Sequence, residues 1–116
     1  MARLRDLEAV FLRYEQREED GKKHVCYVEV DSMADAHGVQ FLCPLCFEKN
    51  HGNVGTHTII CWFAGMVPLD AAPGPGRWNP RGHGIDDLTF IPPGAVSVML
   101  THGCRWHGFV ANGIAV

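Results

Sequence analysis

The stretch FLCPLCFEKN, residues 41–50, places two cysteines three positions apart behind an apolar pair. A matching stretch, GCRWHG, occupies residues 103–108 and carries a cysteine and a histidine at the same spacing. Together they offer four soft or borderline ligands, a set that suits tetrahedral zinc. The sequence therefore predicts one zinc ion bound by Cys43, Cys46, Cys104 and His107.

This ligand set predicts a structural metal and not a catalytic one. Catalytic zinc sites keep one coordination position open, whereas three cysteines and one histidine close the shell. The ion would tie together segments about sixty residues apart and so stabilise a small core. A thioredoxin-like redox role for Cys43 and Cys46 would need a βαβ context, which the sequence lacks.

The remaining histidines and cysteines leave one alternative open. His51 and His57 flank a glycine-rich loop near the first cysteine pair, and either could replace His107 or build a second site. Cys26 and Cys61 alternate within strand-like runs and are predicted as core residues. The other histidines are predicted as surface or loop residues, namely His24, His37, His83 and His102.

Length and composition predict one domain spanning residues 1–116, with an N-terminal hairpin or helix over 1–30 and a zinc-binding core over 36–116. Hydrophobic residues make up 47% of the chain, which argues against disorder. No apolar run approaches the roughly 18 residues of a membrane helix, and MARLRDLEAV has no signal-peptide pattern. We therefore expect no membrane association and a reducing cytoplasm, where metal is favoured over disulfides.

The charges are unevenly distributed along a chain of net charge −3. Six of the ten basic residues lie in residues 1–23, together with six acidic ones. The rest of the chain is acidic and poor in cations, whereas phosphate backbones require clustered lysine and arginine. Non-specific nucleic-acid binding is therefore not expected.

The N-terminal segment admits two interpretations. The apolar residues between Leu4 and Tyr14 fall at helical spacing. However, Asp20-Gly21 is a strong hairpin turn signal, and KKHVCYVEV, residues 22–30, is strand-like. The sequence favours a β-hairpin, roughly 9–18 paired with 23–30.

The rest of the chain predicts short strands separated by turns. Ser32 is a candidate N-cap for one or two helical turns that Gly38 would end. VQFLC and THTIICWFAG are strand-like, DDLTFIPPGAVSVML provides one or two more strands, and CRWHGFVANGIAV closes as a hairpin. Residues 68–84 form a long loop rich in proline and glycine. The predicted fold is mainly β: a small zinc-ribbon-like antiparallel domain with one long irregular loop and little helix.

Three tryptophans lie in distant segments. Trp62, Trp78 and Trp106 are predicted either to pack in the core around the zinc site or to line an aromatic pocket for a flat ligand or an extended peptide. Trp78 lies in the middle of the long loop. We therefore expect that loop to be ordered and packed against the body.

The segments GVQFLCPLC, THTIICWF, PGRWNPRGHGIDDLTFIPP and GCRWHGFVANG together resemble an uncharacterised family of small zinc-binding proteins of bacteriophages and prophages. The resemblance covers about residues 36–115 and departs from the family pattern at Pro92-Pro93-Gly94. It implies a phage or prophage origin, the cytoplasm of a bacterial host, and a β-rich zinc fold with ligands Cys43, Cys46, Cys104 and His107. It implies no activity.

The sequence favours a non-enzymatic, zinc-stabilised phage accessory protein that acts as a binding module for a host or phage protein. Antagonism of a host or defence factor is one form of this role. One alternative is a virion decoration or minor head protein, and homo-oligomerisation stays open. A second alternative is a zinc-ribbon nuclease using His51, Asn53 and His57, although a basic DNA-binding face is missing. Asp86-Asp87 could supply acid–base carboxylates, but the sequence favours a solvated turn there.

Overall fold

The computed structural model describes residues 2–101 and 103–116, so that His102, predicted as a surface histidine, lies outside the described residues. It confirms a mainly β protein with little helix. The strands in chain order are β1 Ala2–Arg3, β2 Val10–Glu19, β3 Lys22–Val30, β4 Gly38–Leu42, β5 Thr58–Trp62, β6 Asn79–Arg81, β7 Thr89–Ile91, β8 Ser97–Met99, β9 His107–Ala111 and β10 Ile114–Ala115. The helix α1 spans Pro44–Asn50, and 3-10 turns span Leu4–Leu7 and Met33–Asp35.

The N-terminal hairpin is confirmed, with β2 and β3 paired from Phe11–Val30 to Glu19–Lys22. Asp20 and Gly21 form the turn with φ of 53° and 74°, the positive values that a two-residue hairpin turn requires. The helical spacing near the N-terminus corresponds only to the short turn Leu4–Leu7, which stops where Glu8 takes a left-handed conformation.

The strands form two four-stranded antiparallel sheets and one two-stranded sheet. The first sheet, with order β3-β2-β4-β5, contains the N-terminal hairpin, and the second has order β1-β10-β9-β8. Strands β6 and β7 form the small third sheet. Trp78 links the two large sheets, since it bridges Phe63 after β5 and Ala95 before β8.

A main core of buried side chains draws on both large sheets and on the Leu4–Leu7 turn. Its largest fully buried members are Phe41, Phe63, Leu4, Leu7, Leu88, Val39, Val98 and Val110. Each large apolar side chain buried in this way contributes roughly 1.5–3 kcal/mol to folding. A second, smaller cluster joins Leu12, Trp62, Val67 and Ala71.

The remaining local predictions are largely confirmed. Ser32 caps the Met33–Asp35 turn by accepting a hydrogen bond from the backbone N–H of Ala34. The first four residues of VQFLC lie in the strand β4, which starts at Gly38 and ends before Cys43, so that this glycine begins a strand instead of ending a helix. The C-terminal hairpin of β9 and β10 turns at Asn112 and Gly113, as expected.

Residues 68–84 pack against the body through Trp78, as predicted, but they are not irregular throughout, because β6 occupies Asn79–Arg81. The indole of Trp78 is buried and donates a hydrogen bond to the carbonyl of Ser97 at 2.9 Å. The neighbouring Arg77 points its guanidinium back into the loop. Its two terminal nitrogens donate to backbone carbonyls, those of Pro68, Leu69, Ala71, Pro73 and Gly76. One side chain therefore holds most of residues 68–76 in place.

Replacing Arg77 with lysine is expected to loosen residues 68–76 and to destabilise the protein by about 2 kcal/mol, because an ammonium group cannot reproduce the planar fork of donors. Hydrogen exchange and limited proteolysis of this segment measure the effect. Arg81→Lys is the matched control, since Arg81 is exposed. Unchanged protection of residues 68–76 in the Arg77 variant would contradict this role.

Candidate metal centre

The structure brings three of the four predicted ligands together with one of the two alternative histidines. The ligand atoms of Cys43, Cys46, His57 and Cys104 all lie within 4.8 Å of one another. Two of these contacts join the sulfurs of Cys43 and Cys104, 3.5 Å apart, and Nε2 of His57 to the sulfur of Cys104, 3.3 Å apart. Sulfur ligands of a tetrahedral zinc ion lie about 3.8 Å apart. The group therefore has the dimensions of a metal site.

The first cysteine pair lies at the start of α1. Cys43 is the residue before the helix, Pro44 occupies its first turn, and the backbone N–H of Phe47 donates to the carbonyl of Cys43. Proline suits this position because its missing N–H would be unpaired there anyway. The sequence predicted a tight turn that directs both cysteines to one ion. The structure has a short helix instead, and it also brings the two thiols together, because residues three apart lie on one face of a helix.

His57 joins the site through the pairing of two neighbouring strands. Strand β5 begins at Thr58 and runs antiparallel to β4, with Leu42 opposite Thr58. The ladder continues one residue further, because the backbone N–H of Cys43 donates to the carbonyl of His57 at 2.9 Å. The register of β4 and β5 therefore sets His57 directly beside Cys43.

Cys104 comes from the connection between β8 and β9, of which the structure describes all but His102. Gly103 and Arg105 have φ of 66° and 56°, which bends the chain sharply on both sides of Cys104. The connection is closed by a hydrogen bond from the N–H of Leu100 to the carbonyl of Trp106. The β8–β9 connection of the second large sheet thus places the thiol of Cys104 beside Cys43, Cys46 and His57.

His107 lies outside this group, and His57 takes the position predicted for it. His107 is the first residue of β9, opposite Met99, and its exposed ring lies 6.2 Å from the ring of Phe109. Side chains alternate along a strand, so the burial of Trp106 turns His107 to the outer face. The C-x2-H spacing therefore does not form a ligand pair here.

The ionisation of the thiols differs across the site. Desolvation raises the pKa of the buried Cys43 to about 12, and it also raises the pKa of Cys46. Desolvation opposes ionisation of Cys104 as well, but hydrogen bonds, first that from His57, outweigh it and lower the pKa of this thiol to about 7. Cys104 is therefore the thiol that ionises most readily, and a metal cation would complete the ionisation of the other two.

The two other cysteines have different surroundings. Cys61 is buried in β5, and desolvation raises its pKa, as expected of a core thiol. Cys26 was also predicted as a core residue, but it is only half-buried. The reason is that β3 lies at the edge of its sheet and carries Cys26 beyond the main core.

The three tryptophans are all buried, Trp78 and Trp106 in the main core and Trp62 in the smaller cluster. The ring of Trp62 packs edge-on against Tyr14 and Tyr27, Trp106 packs edge-on against Phe41, and Trp78 packs against Phe90. In the described part of the chain, a groove of about 600 Å³ is lined by Trp78 but by neither other tryptophan. His57 and Met99 also line this groove, which therefore adjoins the metal-ligand group.

The residues of the nuclease alternative do not converge. His57 lies with the thiols, whereas His51 ends α1 in a left-handed conformation and lines a separate cavity with Glu48 and Asp6. Asn53 is exposed in the loop that follows α1. The described residues thus do not bring His51 to the metal-ligand group.

The carboxylates of Asp86 and Asp87 have structural partners. Asp86 pairs with Arg5 at 2.8 Å. Asp87 accepts hydrogen bonds from the backbone N–H groups of His83 and Gly84, which lower the pKa of this carboxyl to about 2. These contacts agree with the turn that the sequence favoured over a role in acid–base chemistry.

Among the helices of residues 2–101 and 103–116, none has the length and apolar character needed to cross a membrane. No family model matches the chain, and neither does any curated protein or solved structure.

Proposed function

We propose that this protein is a non-enzymatic binding module whose fold is held together by one structural zinc ion. The observation that carries the proposal is the convergence of Cys43, Cys46, His57 and Cys104. Three cysteines and one histidine are a common ligand set of structural zinc sites, whereas magnesium and calcium prefer carboxylate or carbonyl oxygens. The donor set and its dimensions therefore fit the ion.

The positions of the ligands support a structural role. Cys43, Cys46 and His57 belong to the region of β4, α1 and β5 in the first large sheet, whereas Cys104 belongs to the β8–β9 connection of the second. Zinc at this point would join the two sheets and close a loop of about sixty residues. Four protein ligands also leave no coordination position for a substrate or a reactive water.

Other features support binding over catalysis. The histidine and carboxylates considered for acid–base chemistry have partners: His57 lies beside thiols, Asp86 pairs with Arg5, and Asp87 caps a turn. The partner we propose is a host or phage protein, in line with the phage-family resemblance of residues 36–115. The same resemblance supports action in the cytoplasm of a bacterial host.

The zinc content of the purified protein is the first test. We expect one zinc ion per chain by elemental analysis, released by a strong chelator only together with loss of the native circular dichroism spectrum. No zinc in folded protein would contradict the proposal. Zinc that a chelator removes without unfolding would contradict its structural role.

The binding role needs a separate test. Folded, zinc-loaded protein immobilised on beads should retain one defined protein from bacterial or phage-infected lysate, and the chelated, unfolded form should not retain it. If zinc-loaded bait recovers nothing beyond the background of the beads, the binding role fails while the structural zinc site stands.

A further inference from the structure

Strand β3 forms the outer edge of the first large sheet. It pairs with β2 on one side, and the sheet order places no strand on its other side. Within residues 2–101 and 103–116, none of the backbone hydrogen bonds outside the regular ladders involves Lys22–Val30. Such an edge is a template for a further strand unless the protein protects it.

The hydrogen bonds of β2 show which residues of β3 face this open edge. Tyr14 donates its backbone N–H to Nδ1 of His37, and the backbone carbonyl of Leu12 accepts a hydrogen bond from the N–H of His37. The backbone N–H and C=O groups of Tyr14 and Leu12 therefore point away from β3. Their neighbours across the ladder are Tyr27 and Glu29. In an antiparallel ladder, such residues direct their own N–H and C=O groups to the opposite edge.

By the same alternation, Lys23, Val25, Tyr27 and Glu29 all present free backbone groups, and their side chains share one face of the sheet. Val25 and Tyr27 are 50% and 45% exposed, although both have large hydrophobic side chains, and the hydroxyl of Tyr27 donates a hydrogen bond to the carbonyl of Ala72. In the described part of the chain, neither Lys23 nor Glu29 belongs to an ion pair. The edge therefore carries a cation, two apolar side chains and an anion, in that order.

We propose that the partner of this edge is a second copy of the same strand, paired antiparallel about a two-fold axis at Cys26. This axis sets Lys23 opposite the partner's Glu29 and Val25 opposite the partner's Tyr27, and each pair occurs twice. The first large sheet of one copy and the same sheet of its partner would then form one continuous sheet of eight strands. The dimer goes beyond the proposed zinc-dependent function, because β3 contributes no metal ligand.

The charge order selects this register over its neighbours. Moving the axis to Val25 would set Lys23 opposite Tyr27 and leave Glu29 opposite the glycine of the hairpin turn. Moving it to Tyr27 would set Val25 opposite Glu29. Of these three axes, only the one at Cys26 places opposite charges opposite each other and also places hydrophobic side chains opposite each other. Both kinds of cross-strand pair stabilise antiparallel strands. Lysine on an edge strand usually discourages pairing with another chain. In this register, Lys23 instead lies opposite the partner's Glu29.

A charge exchange tests the proposal on full-length, zinc-loaded protein by sedimentation equilibrium. The wild type should form a dimer, and Lys23→Glu or Glu29→Lys alone should weaken it by about tenfold or more, because each places like charges opposite each other twice. The double variant Lys23→Glu, Glu29→Lys should restore dimerisation. Zinc content and circular dichroism would establish that each variant is folded.

Cysteine cross-linking tests the register independently. The proposed axis makes Cys26 face its own copy as a non-hydrogen-bonded pair, with Cα atoms about 4.5 Å apart, a separation at which a disulfide forms. Mild oxidation should therefore link two chains, and Cys26→Ser should abolish the link. A monomeric wild type, or a dimer that neither responds to the charge variants nor cross-links through Cys26, would overturn the proposal.

Discussion

Replacing His57 with alanine is expected to weaken binding at the proposed zinc site by at least about a hundredfold, because three thiolates remain without the imidazole proposed as the fourth ligand. At a free zinc concentration of about 100 times the wild-type Kd, a hundredfold weaker Kd lowers the folding free energy contributed by zinc by about 2.3 kcal/mol. Elemental analysis after dialysis and thermal unfolding with and without added zinc would measure both effects.

His107→Ala is the matched control for this variant. His107 is exposed, as His57 is, and it follows Cys104 closely in sequence, but its ring stands beside Phe109 on the outer face of β9. This variant should keep one zinc ion per chain and a thermal midpoint close to that of the wild type. Loss of zinc from His107→Ala, with zinc retained by His57→Ala, would reverse the assignment of the fourth ligand.

Replacing Gly108 with alanine should have the second large effect. A Cβ at this position would overlap the backbone carbonyl of Val116 and the indole of Trp106. Neither can move freely, because Val116 and Phe109 exchange two backbone hydrogen bonds at 2.9 and 3.0 Å, and Trp106 is buried. We expect a loss of about 3 kcal/mol or more, seen as a fall in the thermal midpoint of roughly 10 °C.

Gly84→Ala is the control, because a Cβ there would meet no atom within 4 Å. Its stability should stay within about 0.5 kcal/mol of the wild type. The Gly108 variant should also bind zinc more weakly, since Trp106 closes the connection that carries Cys104. Wild-type stability of Gly108→Ala would show that β9 can shift away from the C-terminus, contrary to the packing described.

Local sequence signals predicted the N-terminal hairpin well. The Asp20-Gly21 turn and the strand-like run after it outweighed the helical spacing near Leu4, because turn geometry and alternation act over a few adjacent residues. Cys26 shows the limit of the same reasoning. Alternation indicates that a residue points to one face, but whether another layer covers that face depends on where the strand lies in the sheet.

The helix α1 was missed for a related reason. Seven residues are too few for a clear helical period, and Pro44 inside the cysteine pair is equally typical of a turn. The tryptophans show the same dependence on distant contacts. Each was recognisable as a residue that would be buried or line a pocket, but its neighbours come from segments far away in the chain.

Local patterns were enough to predict that the chain is mainly β and that Cys43, Cys46 and Cys104 are candidate metal ligands, because strand alternation, turn residues and paired cysteines can each be read from adjacent residues. The fourth candidate ligand, His57, is evident only from the folded chain. His57 and His107 are equally suitable as side chains, and the choice rests on the register of β4 and β5 and on the face of β9. Both are set by pairing and burial between segments far apart in the chain, which spacing along the sequence does not encode.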